Sequence, residues 1–208
     1  MPKGIPLTDA ALDRRRREIF NAAVKLFVEK GFNETSMREI AEAAGVGKST
    51  LYDYFPSKDD ILITFVVDEV KQMTAWTNEV IVQDCSIIEK FRRILRLHLD
   101  YMLANRQVFL KLTFETQRLS FESQQSIQKH RHAYQDMLID LIREGIRQGE
   151  LRPVNPVLAF RSMFGLLSSA AYTSRPTGTP DEMLEEALDI IFKGLEAGPS
   201  RSSSGGER

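Results

Sequence analysis

Apolar residues recur at helical spacing along most of the chain. The clearest stripe follows an i, i+3, i+4, i+7, i+8 pattern, as on one face of an amphipathic helix, and consists of Ile19, Ala22, Ala23, Leu26 and Phe27. Gly31 follows this stripe and predicts the end of that helix. No segment alternates convincingly between apolar and polar residues as a half-buried strand does. The pattern therefore predicts an all-α fold.

Helix-start signals divide the chain into segments. Ser36 and Glu39 have the spacing of a capping box, in which the serine oxygen accepts a backbone N–H and the glutamate reaches back to the cap. This short helix is predicted to stop at Gly45. Comparable capping residues predict later helix starts at Ser57, Ser86, Asn155 and Thr179.

The segment Thr35–Phe55 is predicted to form a helix, a glycine-containing turn and a second helix. This is the geometry that presents a second helix to the major groove of DNA. The second helix carries hydroxyl groups, one cation and two aromatic rings, which suit phosphates and base edges. A solvated polar face on a two-turn helix would have the same periodicity, so spacing alone leaves both interpretations open.

Charge gives weaker support for a nucleic-acid partner. The 208 residues carry a formal net charge of -1, whereas a nucleic-acid-binding protein is expected to present a basic patch. Residues 13–58 contain nine basic and seven acidic side chains, so their net charge is nine minus seven, or +2. A local positive face therefore requires Arg38, Lys48 and Lys58 to lie on one surface, with Arg14–Arg17 at its edge.

The remaining composition points away from membranes, metals and catalysis. The longest mainly apolar run, Ile61–Val67, is far shorter than the ~20 residues of a membrane-spanning helix. Cys85 is the single cysteine and cannot form a disulfide within the chain, which suits a reducing compartment. We therefore expect a cytoplasmic location. The three histidines lack metal-site spacing. An enzyme using Cys85 or His98 as nucleophile or base would need a base and an orienting group within reach, and the sequence has no glycine-rich phosphate loop or catalytic signature. We therefore expect no catalytic residue, metal or cofactor.

The segment that carries these helix signals resembles a known family. The residues TSMREIAEAAGVGKSTLYDYFPSKDDIL, preceded by IFNAAVKLFVEKGFNETS, are similar to the DNA-binding region of the TetR family of bacterial regulators. The resemblance covers residues 13–73 and implies a three-helix head with a helix-turn-helix. It also implies that a fourth helix joins this head to a larger helical body for ligand binding and dimerisation, residues 74–197. The function implied is sequence-specific repression that a small molecule relieves.

Carried over by position, the resemblance implies a set of DNA contacts. Ser36 and the Met37 backbone would touch phosphates, Arg38 could reach a base, and Tyr54 and Lys58 would hold the DNA backbone. Lys48, Ser49 and Thr50 would face the groove, and Tyr52 would lie against a sugar, a phosphate or a thymine methyl. Asp53 departs from the family pattern, which often has an aromatic or basic residue there, and a structural salt bridge is the role we expect for it.

The body offers weaker signals. The sequence PVLAFRSMFGLLSSAAYTS is apolar almost all round, so a partner subunit is the simplest cover, giving a homodimer on a palindromic operator. A lipophilic effector is predicted to contact Trp76, Tyr101, Phe109, Phe114 and Tyr134, although large apolar side chains are more often plain core. A ligand-binding or scaffolding protein whose head has lost DNA binding is the alternative, argued from Asp53 and the weak net charge. Residues 1–12 are predicted to be a mobile extension and residues 198–208 a disordered tail.

Overall fold

The structure is a computed structural model that describes residues 9–195, without the side chains of Thr113, Phe114 and Leu195. All regular elements in this range are α-helices, which confirms the predicted fold class. In chain order they are α1 (Asp9–Lys30), α2 (Met37–Ala43), α3 (Lys48–Tyr54), α4 (Lys58–Ile81), α5 (Ile87–Ala104), α6 (Arg106–Thr116), α7 (Phe121–Gln148), α8 (Pro156–Tyr172) and α9 (Pro180–Leu195).

The first helix begins earlier than the sequence pattern predicts. The pattern places residues 9–12 in a mobile extension, but α1 begins at Asp9. A carboxylate in the first turn interacts favourably with the helix dipole, and the next three residues are good helix formers. Residues 1–8 and the predicted tail, residues 198–208, lie outside the described residues.

Two compact units make up the chain, and the first is discontinuous in sequence. It contains the described residues as far as Lys71 together with Asn105–His130, and the second contains Gln72–Ala104 and the residues from Arg131 onward. The predicted division after residue 73 lies close to the boundary at Lys71, but α6 and the beginning of α7 belong to the first unit. The functional division into head and body stays a prediction.

The first unit is built around one apolar cluster. The predicted stripe on α1 is buried at Ile19, Ala23 and Phe27, each with no exposed surface. These residues pack with Leu51 of α3 and Leu112 of α6 in the same cluster. Burial of this stripe, rather than helix propensity, holds the short helices α2 and α3 in place, because seven residues are too few for an isolated stable helix.

Two glycines end helices where the sequence predicts. Gly31 follows α1 with φ +106°, and Gly45 follows α2 with φ +64°. Both values lie in the region that glycine adopts without the steric penalty of a Cβ. Gly45 therefore sets the tight turn between α2 and α3.

The second unit packs α5 against α8 and α9. Asn155 caps α8 as predicted, since its side chain accepts from the backbone N–H groups of Val157 and Leu158. Thr179 and Glu182 form the predicted box at the start of α9. Arg92 and Arg96 of α5 form ion pairs with Glu185 of α9. None of the helices in residues 9–195 has the length and apolarity needed to cross a membrane.

Candidate functional site

The polar side chains of α3 point outward while one leucine anchors the helix. Leu51 is fully buried and Val46, just before the helix, packs against the same cluster. Lys48, Ser49 and Tyr52 are exposed, and Tyr52 presents 42% of its surface. Thr50 is half-buried. The helix thus offers a hydroxyl, an ammonium and a phenol on its exposed side, the donor set that phosphates and base edges require.

Lys48 and Tyr52 are neighbours on this exposed side. The Lys48 ammonium lies 5.9 Å from the centre of the Tyr52 ring, within cation–π range, and the residues are one helical turn apart. This contact restricts two side chains that would otherwise rotate in solvent. The cation and the aromatic ring are therefore held next to each other on the exposed side of α3.

Arg38 is already engaged within α2. Its Nε donates to the Glu42 carboxylate at 2.8 Å, and both side chains remain largely exposed. The hydrogen bond with Glu42 raises the pKa of Arg38 above its usual value, so the guanidinium remains charged at any working pH. Sequence reasoning missed Glu42, although its i, i+4 spacing from Arg38 was a visible signal.

Ser36 sits in the capping box that the sequence predicts. Its hydroxyl accepts from the Glu39 N–H at 3.2 Å and donates to the Glu39 carboxylate at 2.8 Å, while the Ser36 N–H donates to that carboxylate at 2.8 Å. Lys30 at the end of α1 also pairs with Glu39. Together these contacts, first among them the bond from Lys30, lower the pKa of Glu39 from 4.5 to about 2. A phosphate contact by the Ser36 hydroxyl, which stays a prediction, would compete with Glu39.

Lys58 makes contacts that the sequence did not reveal. Its ammonium donates to the backbone carbonyls of Phe32 at 2.7 Å and Asn33 at 3.3 Å, and lies 4.8 Å from the centre of the Phe32 ring. Lys58 therefore ties the start of α4 to the turn that follows α1. The predicted phosphate contact has to be made by an ammonium that this turn already uses.

Two other predicted contacts are partly internal. Met37 and Tyr54 are half-buried and pack against the apolar cluster. Only their backbone groups and the exposed edges of their side chains are therefore available to contact DNA.

Asp53 is exposed on α3, and among the described residues it forms no salt bridge, so the structural pairing that we expected for it is not seen. Arg16 lies 5.4 Å from the ring centre of Phe55, a contact that the sequence did not suggest.

The predicted effector residues do not all lie in one unit. Trp76 and Tyr101, both half-buried in the second unit, meet edge to face with ring centres 5.4 Å apart. Phe109 belongs to the first unit, and the side chain of Phe114 lies outside the described residues. Tyr134, in the second unit, is 8% exposed.

Tyr134 is the centre of a buried hydrogen-bond chain in the second unit. The His98 Nδ1 lies 2.8 Å from the Ile94 carbonyl, the Tyr134 hydroxyl 2.7 Å from His98 Nε2, and the Thr77 hydroxyl 3.0 Å from that of Tyr134. A carbonyl only accepts, so Nδ1 carries the proton, Nε2 accepts from Tyr134, and Thr77 donates to Tyr134. Burial lowers the pKa of His98 and raises that of Tyr134, which keeps the whole chain neutral.

An uncovered apolar surface lies on α8 and α9. Leu158 of α8 is 64% exposed and Ile190 of α9 is 66% exposed, and the two residues line one groove with Ser162 and Ile191. On α8, a side chain at Gly165 would meet no atom within 4 Å. The helix predicted to be covered on all sides is therefore buried on one side only within a single chain.

Comparison with known proteins gives matches along most of the chain. The family model described as bacterial regulatory proteins of the tetR family matches residues 19–64, and a tetracyclin repressor-like C-terminal domain model matches residues 84–195. The fatty acid metabolism regulator protein of Bacillus subtilis is 27% identical over 157 residues, which are 75% of this chain and 81% of that protein.

Solved structures of bacterial transcriptional regulators also resemble this chain over most of its length. The TetR family transcriptional regulator PfmR of Thermus thermophilus is 30% identical with a TM-score of 0.71, over 86% of this chain and 98% of that one. The transcriptional regulator FadR of Bacillus subtilis, solved in complex with stearoyl-CoA, is 24% identical with a TM-score of 0.75, over 86% of this chain and 99% of that one.

Proposed function

Because this chain belongs to the TetR family of bacterial regulators, and is thus a DNA-binding transcriptional regulator rather than an enzyme, we propose that it is a homodimeric repressor released by a fatty acyl effector. The observation that carries the DNA-binding part is the exposed polar side of α3, which follows an α2 whose Arg38 is also exposed. The donors of α3 are outward-facing, while Leu51 fixes the helix from behind.

Within this proposal the side chains have different tasks. Lys48, Ser49, Thr50 and Tyr52 face the groove, Arg38 reads a base, and the backbone contacts come from Ser36, Met37, Tyr54 and Lys58. The exposed side chains of Lys48, Ser49 and Tyr52 can contact DNA without giving up an internal hydrogen bond. Lys58 and Ser36 first have to share or exchange the internal partners described above.

The homodimer is supported by the apolar surface of α8 and α9. Leu158 and Ile190 each leave about two thirds of their surface uncovered, and covering that remainder contributes about 1 to 2 kcal/mol each. The open space at Gly165 lets a second α8 approach closely. Two copies related by a twofold axis would present two α3 helices to a palindromic operator.

The fatty acyl effector is supported by the Bacillus subtilis relative, whose name assigns it to fatty acid metabolism. The second unit has aromatic side chains for an acyl chain to contact, including the Trp76 and Tyr101 pair. An effector that binds the DNA-free state more tightly weakens DNA binding, and DNA must weaken effector binding by the same factor. That factor is typically about 5- to 150-fold.

The test begins with a DNA duplex selected from a randomised library by the full-length chain. Its binding is then titrated by fluorescence anisotropy with stearoyl-CoA, stearate or coenzyme A alone. Stearoyl-CoA should weaken DNA binding by at least about fivefold, and coenzyme A alone should not. Release by stearate alone would place recognition in the acyl chain. If no sequence is enriched, the alternative of a head without DNA binding is correct, and if no acyl compound releases the duplex, the effector assignment is wrong.

A further inference from the structure

We infer that Glu42 positions the guanidinium of Arg38 so that its outer edge reads a guanine in the major groove. The inference rests on the proposed DNA-binding function. It gives Glu42 a part in that function although Glu42 itself need not touch a base. It follows from the geometry of one ion pair and from the place of that pair on α2.

The geometry leaves the recognition edge of Arg38 available. Glu42 accepts from Nε at 2.8 Å, which is the inner side of the guanidinium. The two terminal nitrogens then form the outer edge, and their spacing matches O6 and N7 of guanine. A long side chain held in one orientation loses less conformational freedom when it binds, so positioning by Glu42 favours the specific complex.

Helix stability does not account for this pair. Arg38 precedes Glu42 in sequence, which is the less favourable order for an i, i+4 ion pair. Glu42 also lies in the last turn of α2, where the helix dipole disfavours a carboxylate, and Arg38 lies in the first turn, where it disfavours a cation. The arrangement therefore works against the helix dipole at both ends.

The position is also unfavourable for non-specific DNA binding. Glu42 is exposed on the same side of α2 as Arg38, so its charge repels phosphates that approach this face. A carboxylate there weakens the general attraction to DNA. Its benefit lies in orienting Arg38, which raises the difference in affinity between the right and the wrong base.

The test uses the selected duplex and copies of it in which each guanine in turn is replaced by 7-deazaguanine, which lacks the N7 acceptor. Wild type should lose affinity by about threefold or more at one guanine per half-site, and Arg38→Ala should be insensitive to that replacement. Glu42→Ala should bind a scrambled duplex more tightly than wild type and lose most of the guanine preference. Glu42→Gln should also bind the scrambled duplex more tightly but keep most of the preference, because its amide oxygen still accepts from Nε.

Glu29→Ala is the matched control. Glu29 pairs with Lys25 one helical turn away in the same compact unit, so the substitution makes the same change in charge and also breaks an i, i+4 pair. It should leave the guanine preference unchanged. Circular dichroism and the urea midpoint of each variant establish that α2 is still folded.

Three outcomes would overturn the inference. Glu42→Ala could keep the wild-type sensitivity to 7-deazaguanine, or Glu42→Gln could lose as much preference as Glu42→Ala, which would assign the effect to charge alone. The third outcome is that Arg38→Ala keeps the wild-type sensitivity to 7-deazaguanine at every guanine, which would mean that Arg38 reads no guanine and Glu42 has no such task. Each of these leaves specific DNA binding by wild type intact, whereas failure of wild type to enrich any sequence would overturn the proposed function as well.

Discussion

The ammonium of Lys58 and the backbone carbonyl of Phe32 are joined by a hydrogen bond of 2.7 Å between residues 26 positions apart. The same ammonium lies over the Phe32 ring, so Lys58 closes the turn between α1 and α2 from the start of α4. This contact gives Lys58 a structural role before any DNA is bound.

Lys58→Ala should therefore destabilise the protein as well as weaken DNA binding. Losing a hydrogen bond from a charged group in a partly buried place costs about 1.5 to 3 kcal/mol, and the partial exposure of Lys58 favours the lower value. Urea unfolding measures this loss. Lys58→Met, which keeps the stem but not the charge, should lose a similar amount. A DNA titration that loses one unit of salt slope with no change in urea midpoint would show that Lys58 acts at a phosphate alone.

Glu39 should make the protein sensitive to acid. Its pKa is lowered from 4.5 to about 2 in the folded chain, so the folded state binds fewer protons than the unfolded state between these values. The contribution is complete above about pH 4.5 and is lost as pH falls towards 2. Thermal melts of Glu39→Gln from pH 6 to pH 2.5 should accordingly fall less steeply than those of wild type. Glu29→Gln, the same change at an exposed position of α1, is the matched control, and equal slopes for wild type and Glu39→Gln would contradict the assignment.

Tyr134→Phe should be destabilising although it removes one atom. The hydroxyl donates to His98 and accepts from Thr77, so its loss leaves two buried polar groups without their partner. Each buried unsatisfied group costs about 1 to 3 kcal/mol. The urea midpoint should fall, and adding Thr77→Val should recover part of the loss because the orphaned hydroxyl is removed. A double variant that is as unstable as the sum of both single variants would show that the two residues act independently.

Gly165→Arg should separate folding from dimerisation. A side chain at this position meets nothing within 4 Å in a single chain, so the helix content should be unchanged. In the proposed dimer, bulk and charge at the same position would block the approach of a second α8. Sedimentation equilibrium should show wild type at twice the chain mass of 23.7 kDa and the variant near that mass. Gln125→Arg, an equally charged change at an exposed position of α7, should remain a dimer; a wild-type monomer would contradict the dimer proposal.

Local signals were sufficient to predict most of the helix boundaries. The box of Ser36 and Glu39, the cap at Asn155 and the ends at Gly31 and Gly45 each involve residues at most four positions apart. Their hydrogen bonds are decided by backbone geometry, which short sequence motifs encode directly. The exposure of the α3 side chains follows from the same helical periodicity.

Contacts between distant residues could not be predicted in this way. Lys58 was expected to face only DNA, because nothing within a few residues of it reveals the Phe32 carbonyl. The chain from Thr77 to His98 through Tyr134 joins three helices, and each residue alone has the pattern of an ordinary core position. Such contacts depend on how helices pack, which residue spacing does not specify.

The place of α6 in the first unit has a consequence for how that unit folds. Lys111 of α6 donates to the Val28 carbonyl at the end of α1, and Leu112, Leu119 and Ile127 complete the apolar cluster that α1 begins. An excised fragment ending at residue 73 would expose that cluster to water, so it should be expressed as an aggregating or partly folded peptide. During synthesis on the ribosome, the apolar cluster of the first unit should therefore be complete only after Ile127 has left the exit tunnel.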